Sequence, residues 1–251
     1  MCIRDRYYTK NLPKVEIRRK MQKLIYGLLG VLAVGFLWLC GNAISSNLAY
    51  DNWIKGLDTN KYIAADSRNG EMGDNYEGNK DAKVIISEYA DYQCPFCSTV
   101  FPYLSDVVKE YDGQVGLVFR SYILSYHQNG TAAASAANAA ALQGYWGPYA
   151  KKLFKEQSNW ESLSATDRDN HFREYFVEVT EGKGDTEKFF KDMNSDAVKQ
   201  KIKADMAISK RLGVNETPTI YINGKAFELP SAKEKEFKEK LREAINQQLK
   251  S

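Results

Sequence analysis

Two cysteines three residues apart, Cys94 and Cys97, enclose Pro95 and Phe96 and follow an apolar run that predicts a buried strand. The residues after the pair recur at helical spacing, so Cys94 stands at the start of a predicted helix. A thiol at the first turn of a helix faces unpaired backbone N–H groups and the positive end of the helix dipole, which favour its thiolate. A second thiol three residues on lies within disulfide reach. The pattern therefore indicates thiol chemistry at the start of this helix.

Three kinds of site use such a pair. A zinc half-site needs two more ligands, but His127 and His171 lack ligand-like spacing, and Cys2 and Cys40 lie in or before an apolar amino-terminal segment. A structural disulfide across so short a loop gains little from closure entropy. A redox pair is favoured, because no other cysteine follows the apolar segment. The zinc and structural-disulfide interpretations stay open as alternatives.

The apolar segment, residues 24–44, carries no charged side chain. As a helix it would span ~31 Å, close to the ~30 Å hydrocarbon core of a bilayer. Residues 1–23 before it are basic, which predicts a cytoplasmic tail, a single transmembrane helix and a domain outside the membrane. The alternative is a signal sequence cleaved near Ser45, where small residues fit a cleavage site. Residues 1–10 fit no pattern, so we treat the extreme terminus as a candidate artefact, with Met21 as an alternative start.

The rest of the chain divides into a lead-in and a domain. Residues 45–80 sustain no apolar period and predict a linker, and residues 81–251 predict a folded domain. Composition supports a folded core, with 43% hydrophobic residues. The formal charge of +3, from 35 basic and 32 acidic side chains, is too small and too evenly mixed to indicate a nucleic-acid binder.

The order of predicted elements within the domain defines its fold class. Buried strands are predicted at 84–89 and 115–123, and the helix between them makes them parallel. An alanine-rich run at 132–142 belongs to a helical insertion at about 128–212. The turn residues Asn223 and Gly224 predict a hairpin, which a final helix follows. We therefore expect an α/β fold with a mixed four-stranded sheet and a helical insertion.

Several motifs resemble a known family. Glu88-Tyr-Ala-Asp-Tyr-Gln-Cys94-Pro-Phe-Cys97 is similar to the active-site region of the DsbA-like thiol:disulfide oxidoreductases. The lead-in at 78–84, Gly213-Val214, Thr217-Pro218-Thr219 and Asn223-Gly224 resemble the same family in the same order. The resemblance runs from about residue 78 to 249 and implies a thioredoxin-like fold interrupted by a helical insertion.

The resemblance also implies roles for five residues. Cys94 would be the exposed nucleophile and Cys97 the buried resolving cysteine. Pro218 matches the cis-proline that faces the active disulfide, and Thr217 precedes it. Glu88 matches a buried acidic position whose carboxylate can accept the Cys97 proton, since burial raises the pKa of such a group. A solvent-facing strand glutamate is the alternative for Glu88.

The family implies an activity with an open direction. It implies introduction of disulfides into reduced secreted proteins, with the cysteine pair as the only redox group, no dissociable cofactor, and reoxidation by a membrane quinone-linked partner. Strongly oxidising relatives resemble Cys-Pro-His-Cys, whereas this chain has Phe96 at the third position, so no imidazole can stabilise a thiolate there. Thr217 also occurs before the proline in isomerase-like relatives. A reductase or isomerase, and a non-redox peptide-binding domain, therefore remain alternatives.

Overall fold

The computed structural model describes residues 12–230 and 233–250, in two units divided between Trp53 and Ile54. The first eleven residues of the predicted basic tail lie outside the described residues. Helix α1 runs from Leu12 to Gly56, twelve residues beyond the predicted end of the apolar segment. The polar residues that predicted its end, beginning at Ser45, are compatible with helix.

Helix α1 is long and apolar enough to cross a membrane. Its stretch Met21–Gly56 contains an 18-residue window with a mean hydropathy of 2.2 and no buried residue. A signal sequence near an amino terminus has the same length and composition, so the helix is a membrane span or a signal sequence.

The second unit is built on a five-stranded mixed sheet. Its strands are β1 (Asn75–Gly78), β2 (Val84–Ala90), β3 (Val115–Ser121), β4 (Thr219–Ile222) and β5 (Lys225–Ala226), in the spatial order β1-β3-β2-β4-β5. The central pair β2 and β3 is parallel, as predicted, and β4 lies antiparallel to β2. The predicted hairpin is confirmed as β4 and β5. These pairings confirm the thioredoxin-like fold class.

The prediction that residues 45–80 form a linker is wrong for most of that stretch. Helix α1 occupies its first part, a 3-10 turn spans Ser67–Asn69, and β1 adds an antiparallel fifth strand beside β3. Ile63 and Met72 are buried, and Met72 belongs to the hydrophobic core of the domain. The sequence hid this strand because β1 has only four residues, Asn-Tyr-Glu-Gly, and no apolar alternation.

Glycine allows β1 to approach the amino end of β3 closely. Gly78 faces Gly116 in the register, with Gly78 in the left-handed region at φ +75°. A Cβ on Gly116 would lie 2.2 Å from the Asn79 carbonyl oxygen, so no larger residue fits there without movement. Gly116 is therefore a point of close backbone approach within the strand.

Helices cover both faces of the sheet. Helix α2 (Pro95–Lys109) joins β2 to β3, and α9 (Glu234–Lys250) packs beside it. Between β3 and β4, the described chain has six helices, more than the apolar markers predicted. They are α3 (Gly130–Ala141), α4 (Trp146–Lys155), α5 (Gln157–Trp160), α6 (Ala165–Val179), α7 (Thr186–Asp192) and α8 (Asp196–Arg211). Most of the alanine-rich α3 is buried, since small side chains let neighbouring helices lie close.

The two faces of the central strands bury different chemistry. Side chains alternate along a strand, and Glu88 faces the same way as its register partner Phe119. That face carries the main apolar core, with α2 against it. Tyr89 and its partner Arg120 face the opposite side, where α8 packs. The cysteine motif therefore follows strand β2, which presents the Glu88 carboxylate to one face of the sheet. The Arg120 guanidinium of the neighbouring strand β3 lies on the other face.

Candidate active site

Cys94 lies at the boundary between strand and helix. It is the N-cap of α2 with an extended backbone, and Pro95 takes the first helical position, where a missing N–H costs no hydrogen bond. The Cys94 N–H donates to the Asp91 carbonyl at 3.0 Å, and the Cys94 carbonyl accepts from the Ser98 N–H at 3.1 Å. The local turn thus aims the Cys94 side chain past the end of the helix.

Cys94 and Cys97 are both free thiols in this structure, and they differ in proton affinity. Hydrogen bonding from the Cys97 thiol, helped by Thr217 and by the N–H groups of Cys97 and Phe96, outweighs partial burial and lowers the pKa of Cys94 to about 5. Complete burial, together with Cys94 itself, raises the pKa of Cys97 well above its ordinary value. The pair is therefore asymmetric, with a stabilised thiolate at the helix start and a protonated thiol beneath it.

The segment before β4 brings Thr217 and Pro218 to Cys94. The Thr217–Pro218 peptide bond is cis, and Pro218 is buried. The Cys94 thiol donates to the Thr217 carbonyl oxygen, with the sulfur 3.5 Å from that oxygen. The Thr217 hydroxyl is buried and has no hydrogen-bond partner among the described residues, which leaves it available as a donor to the Cys94 thiolate.

Glu88 lies beneath the cysteines on the core face of β2. Its side chain is fully buried, and neither carboxylate oxygen has a hydrogen-bond partner within the described residues. Burial, and then the nearby charges of Cys94 and Glu77, raise the pKa of Glu88 well above its ordinary value. The structure therefore excludes the alternative of a solvent-facing strand glutamate. It buries a carboxyl group with a raised pKa on the strand that leads to Cys94.

Glutamine side chains from the active-site loop and from the insertion hold that loop in place. Gln157 donates from Nε2 to the carbonyl oxygens of Tyr92, at 2.7 Å, and Cys94, at 3.0 Å. Gln93 donates to the Glu161 carbonyl oxygen at 3.0 Å and accepts from the Asn129 N–H at 2.7 Å. The helical insertion thus fixes the backbone that carries Cys94.

Asp91 ties the active-site loop to the segment after β3. Its buried carboxylate accepts from the backbone N–H groups of Gln93 and Leu124, each at 2.9 Å, and lies 2.8 Å from Nδ1 of His127. His127 is therefore engaged with a carboxylate rather than with a cysteine. Its role in the structure is to brace the loop.

Sequence reasoning found the five motif residues at this site and missed its support. The structure places Cys94, Cys97, Thr217 and Pro218 at one end of the sheet. Glu88 lies on β2, six residues before Cys94. Gln157 is 63 residues from Cys94 and carries no local signal, so only the fold reveals its contact. No group of three or more histidine, cysteine or acidic side chains suited to a metal occurs in the described part of the chain.

Comparison with known proteins places this geometry in a family. A thioredoxin family model matches residues 71–247, which is more than half of the chain. The "Probable disulfide bond formation protein D" of Bacillus cereus is 28% identical over 153 residues, covering 59% of this chain and 68% of that protein. Oxidised BdbD of Bacillus subtilis has the same fold, with a TM-score of 0.58 at 22% identity, covering 76% of this chain and 100% of that structure.

A second group of relatives is much longer than this chain. The Na(+)/H(+) antiporter NhaA of Herminiimonas arsenicoxydans is 29% identical over 153 residues, which cover 61% of this chain but only 22% of the antiporter. The chain thus spans less than a quarter of that relative's length. The chain belongs to the thioredoxin family, and its relatives include proteins named for disulfide bond formation.

Proposed function

We propose that this chain is a membrane-anchored, extracytoplasmic disulfide donor that oxidises reduced secreted proteins through Cys94 and Cys97. The observation that carries the proposal is the asymmetry of the two thiols. The pKa of Cys94 is lowered to about 5, whereas burial raises the pKa of Cys97. A stabilised thiolate favours the reduced form of the pair, and an enzyme with a favoured reduced form gives its disulfide away.

The size of this effect supports oxidation without an imidazole. A pKa of about 5 makes the Cys94 thiolate roughly 100-fold more abundant than the thiol at pH 7. That ratio corresponds to ~2.7 kcal/mol. For a two-electron couple it corresponds to ~60 mV toward a more oxidising potential. Hydrogen bonds from Cys97, Thr217 and backbone N–H groups stabilise the Cys94 thiolate. They therefore compensate for Phe96, which stands where strongly oxidising relatives have a histidine.

The reaction proceeds through two exchanges. A substrate thiolate attacks Sγ of Cys94 in the oxidised pair, forming a mixed disulfide while the Cys94–Cys97 bond breaks and Cys97 leaves as a thiolate. The second substrate thiolate then attacks the substrate sulfur, and Cys94 leaves as its stabilised thiolate. The substrate loses two electrons and two thiol protons and gains one disulfide. The enzyme gains the two electrons, with Cys97 as a thiol and Cys94 as a thiolate, and the second proton goes to the solvent.

Glu88 manages the proton of the buried cysteine in this scheme. Because burial raises its pKa, Glu88 holds a proton at neutral pH and can supply it to the Cys97 thiolate as that group leaves. Once Glu88 is ionised, its charge raises the pKa of Cys97, which favours a protonated Cys97 after the transfer. The same carboxylate takes the proton back when the pair is reoxidised.

The compartment and the oxidant belong to the proposal as well. Helix α1 serves as the anchor, and the basic residues before its apolar stretch keep the amino terminus in the cytoplasm. Each turnover leaves the enzyme reduced, so a membrane quinone-linked partner must withdraw two electrons. The pair itself needs no dissociable cofactor. Protease added to spheroplasts should release a redox-active fragment that begins after α1, and a mature protein starting near Ser46 would contradict the anchor.

Oxidative refolding of reduced ribonuclease tests the activity. The oxidised chain should restore ribonuclease activity stoichiometrically, and should do so catalytically once an oxidant such as oxidised glutathione regenerates it. A Cys94→Ser variant serves as the control and should be inactive. If the wild-type chain instead reduces insulin disulfides and leaves reduced ribonuclease inactive, the reductase alternative replaces the proposal. If it does neither, the peptide-binding alternative replaces it.

A further inference from the structure

Gln157 contacts the active-site loop from the helical insertion and takes no part in the exchange reactions described above. It is the first residue of α5, and its side chain is buried. Its amide nitrogen Nε2 donates to two backbone carbonyl oxygens, that of Tyr92 at 2.7 Å and that of Cys94 at 3.0 Å. An amide group has two N–H donors, so both are used on the loop that carries Cys94.

The two carbonyl groups lie where the chain turns from β2 into α2. Strand β2 ends at Ala90, so neither carbonyl group belongs to the sheet. Loss of a donor to a buried carbonyl group carries a free-energy penalty, which a loop can relieve by moving. Because Gln157 donates to both groups at once, it fixes the peptide plane that follows Tyr92 and the peptide plane that follows Cys94.

The orientation of the Cys94–Pro95 peptide plane decides where the first turn of α2 points its N–H groups. Cys94 has an extended backbone, with φ −77° and ψ 122°, and rotation about ψ turns its carbonyl group. The N–H groups of Phe96 and Cys97 stabilise the Cys94 thiolate and contribute to the lowered pKa of Cys94. Rotation about ψ would swing these donors away from the sulfur. The hydrogen bond from Gln157 to the Cys94 carbonyl oxygen opposes that rotation.

The turn that carries Gln157 is itself held in place. Trp160, on the same helix, is fully buried. Asn129 donates from Nδ2 to the carbonyl oxygens of Trp160, at 3.2 Å, and Glu161, at 3.0 Å. The Glu161 carbonyl oxygen also accepts from Nε2 of Gln93, which lies between the two loop residues that Gln157 binds. The amide of Gln157 is therefore positioned before any substrate arrives, so its hydrogen bonds require no reordering of the insertion.

We infer that Gln157 is a positioning residue of the redox pair, which holds the Cys94 carbonyl group so that the N–H groups at the start of α2 face the Cys94 sulfur. The inference rests on the proposed function, because it names a residue that sets the oxidising strength of the same pair. It assigns that control to the helical insertion, 63 residues from Cys94 in the sequence. Gln157 thus acts through the loop and contacts neither sulfur in the exchange.

Replacement of Gln157 in the full chain tests this role. Gln157→Met has a similar length but no amide donor, so the N–H groups of α2 should lose alignment with the Cys94 sulfur. In the reduced protein, the pH midpoint for alkylation of Cys94 by iodoacetamide should rise from about 5 to about 6, which is an about tenfold loss of thiolate stability. In glutathione buffers the oxidised pair should become about tenfold more favoured, equivalent to ~30 mV. Gln157→Asn, whose amide is one methylene shorter, should shift both values in the same direction by less.

Two control variants separate positioning from a general loss of stability. Gln143→Met removes another glutamine of the insertion, whose Nε2 donates at 2.9 Å to the Asp185 carbonyl oxygen, outside the active-site loop. Phe189→Leu removes a buried ring that stacks on Phe176, with the ring centroids 4.2 Å apart, and should lower the free energy of unfolding. Both variants should keep the wild-type alkylation midpoint and reduction potential.

The possible results distinguish this inference from the proposed function. Wild-type values in both Gln157 variants, or an equal shift in Phe189→Leu, would overturn the positioning role and leave disulfide donation intact. If Gln157→Met does not fold, Gln157→Asn decides by the same two measurements. A wild-type chain that alkylates Cys94 with the midpoint of an ordinary thiol, and that leaves reduced ribonuclease inactive, would overturn disulfide donation itself.

Discussion

The two faces of the central strands bury charged side chains in opposite ways. On the core face, Glu88 is fully buried, and its oxygens lack hydrogen-bond partners among the described residues. On the other face, the fully buried Arg120 contacts Asp74 at 2.7 Å, the Tyr89 hydroxyl at 2.7 Å and the Thr59 carbonyl oxygen at 2.8 Å. The Glu88 carboxyl group therefore has no hydrogen-bond partner among the described residues, whereas the Arg120 guanidinium has several.

Pairing decides which way the proton affinity moves. Burial alone would raise the pKa of Asp74, but Arg120 and Lys201 outweigh burial and lower it. Burial raises the pKa of Glu88 as well, and there no cation opposes it. Equal burial thus gives a permanent ion in one place and a neutral acid that can exchange a proton in the other. We therefore assign stability to the face that carries the Asp74–Arg120–Lys201 network, which we call the paired face. We propose chemistry for the face that carries Glu88.

The largest expected effect comes from removing the buried ion pair between Arg120 and Asp74. Arg120→Met should lower the free energy of unfolding by ~3–5 kcal/mol, because it leaves the buried Asp74 carboxylate without its closest partner. It should also free residues 59–61, whose carbonyl oxygens Arg120 holds. Urea titration of both proteins measures the difference.

A surface pair provides the matched control for that variant. Arg242 binds Glu110 at 2.7 Å, but both side chains are more than one-third exposed. Arg242→Met should therefore cost less than ~1 kcal/mol. If the Arg120 and Arg242 variants lose equal stability, the buried network does not hold the sheet as described here.

The next effect concerns the two thiols above Glu88. In the reduced protein at pH 7, iodoacetamide should label Cys94 at least ~100-fold faster than Cys97, because only a thiolate is an effective nucleophile. The labelling rate of Cys94 should follow a titration with a midpoint at a pH of about 5, its lowered pKa. Mass mapping after brief labelling reads out both sites. Preferential labelling of Cys97 would reverse the assigned roles.

A smaller kinetic effect should follow from removing the isolated acid. Glu88→Gln should slow attack of a peptide thiol on the oxidised pair by about 10–100-fold at pH 7, because Cys97 then leaves without a proton donor. Glu110→Gln, which changes an exposed acid paired with Arg242, is the control and should react at the wild-type rate. Rapid-quench measurements give both rate constants. Equal rates for the Glu88 variant and wild type would remove Glu88 from the mechanism.

The smallest effect is the dependence of stability on pH, measured in the oxidised protein so that neither Cys94 nor Cys97 titrates. Glu88 has a raised pKa in the folded state, so its stabilising contribution is complete below the pKa of the unfolded chain and is lost as the pH rises through the folded pKa. The free energy of unfolding of wild type should fall by ~1.4 kcal/mol for each unit by which the pKa of Glu88 in the folded state exceeds its pKa in the unfolded state. Glu88→Gln should lack this loss as the pH rises above the ordinary pKa of a glutamate, and an identical slope in both proteins would contradict an isolated buried acid.

Sequence reasoning served the two faces unequally. The core face is local in sequence, since Glu88, Cys94 and Cys97 lie in ten residues and their motif identified both the fold and the chemistry. The opposite face brings together Asp74, Arg120 and Lys201. Arg120 is 46 residues from Asp74 in the sequence, and Lys201 is 127 residues from it. Charged residues read singly along a sequence predict solvent exposure, so nothing in the pattern indicated that they are buried together.

The lead-in was mispredicted for the same reason. Residues 59–74 look like a linker because their local apolar content is low, but Arg120 binds the Thr59 and Lys61 carbonyl oxygens, and Asp74 accepts from the Ile63 N–H at 2.9 Å. Long-range polar contacts, rather than a hydrophobic pattern, attach this segment to the sheet. The strand β1 that follows then has a partner in β3.

The reduction potential of the Cys94–Cys97 pair tests the central claim most directly. Equilibration of the protein with glutathione buffers, followed by quantification of the oxidised and reduced forms, gives this value. A Cys94 thiolate stabilised at neutral pH predicts a potential of about −180 mV or higher, within the range of disulfide donors. A potential of about −270 mV or lower, typical of reductants, would show that the thiolate is not stabilised enough to drive disulfide donation.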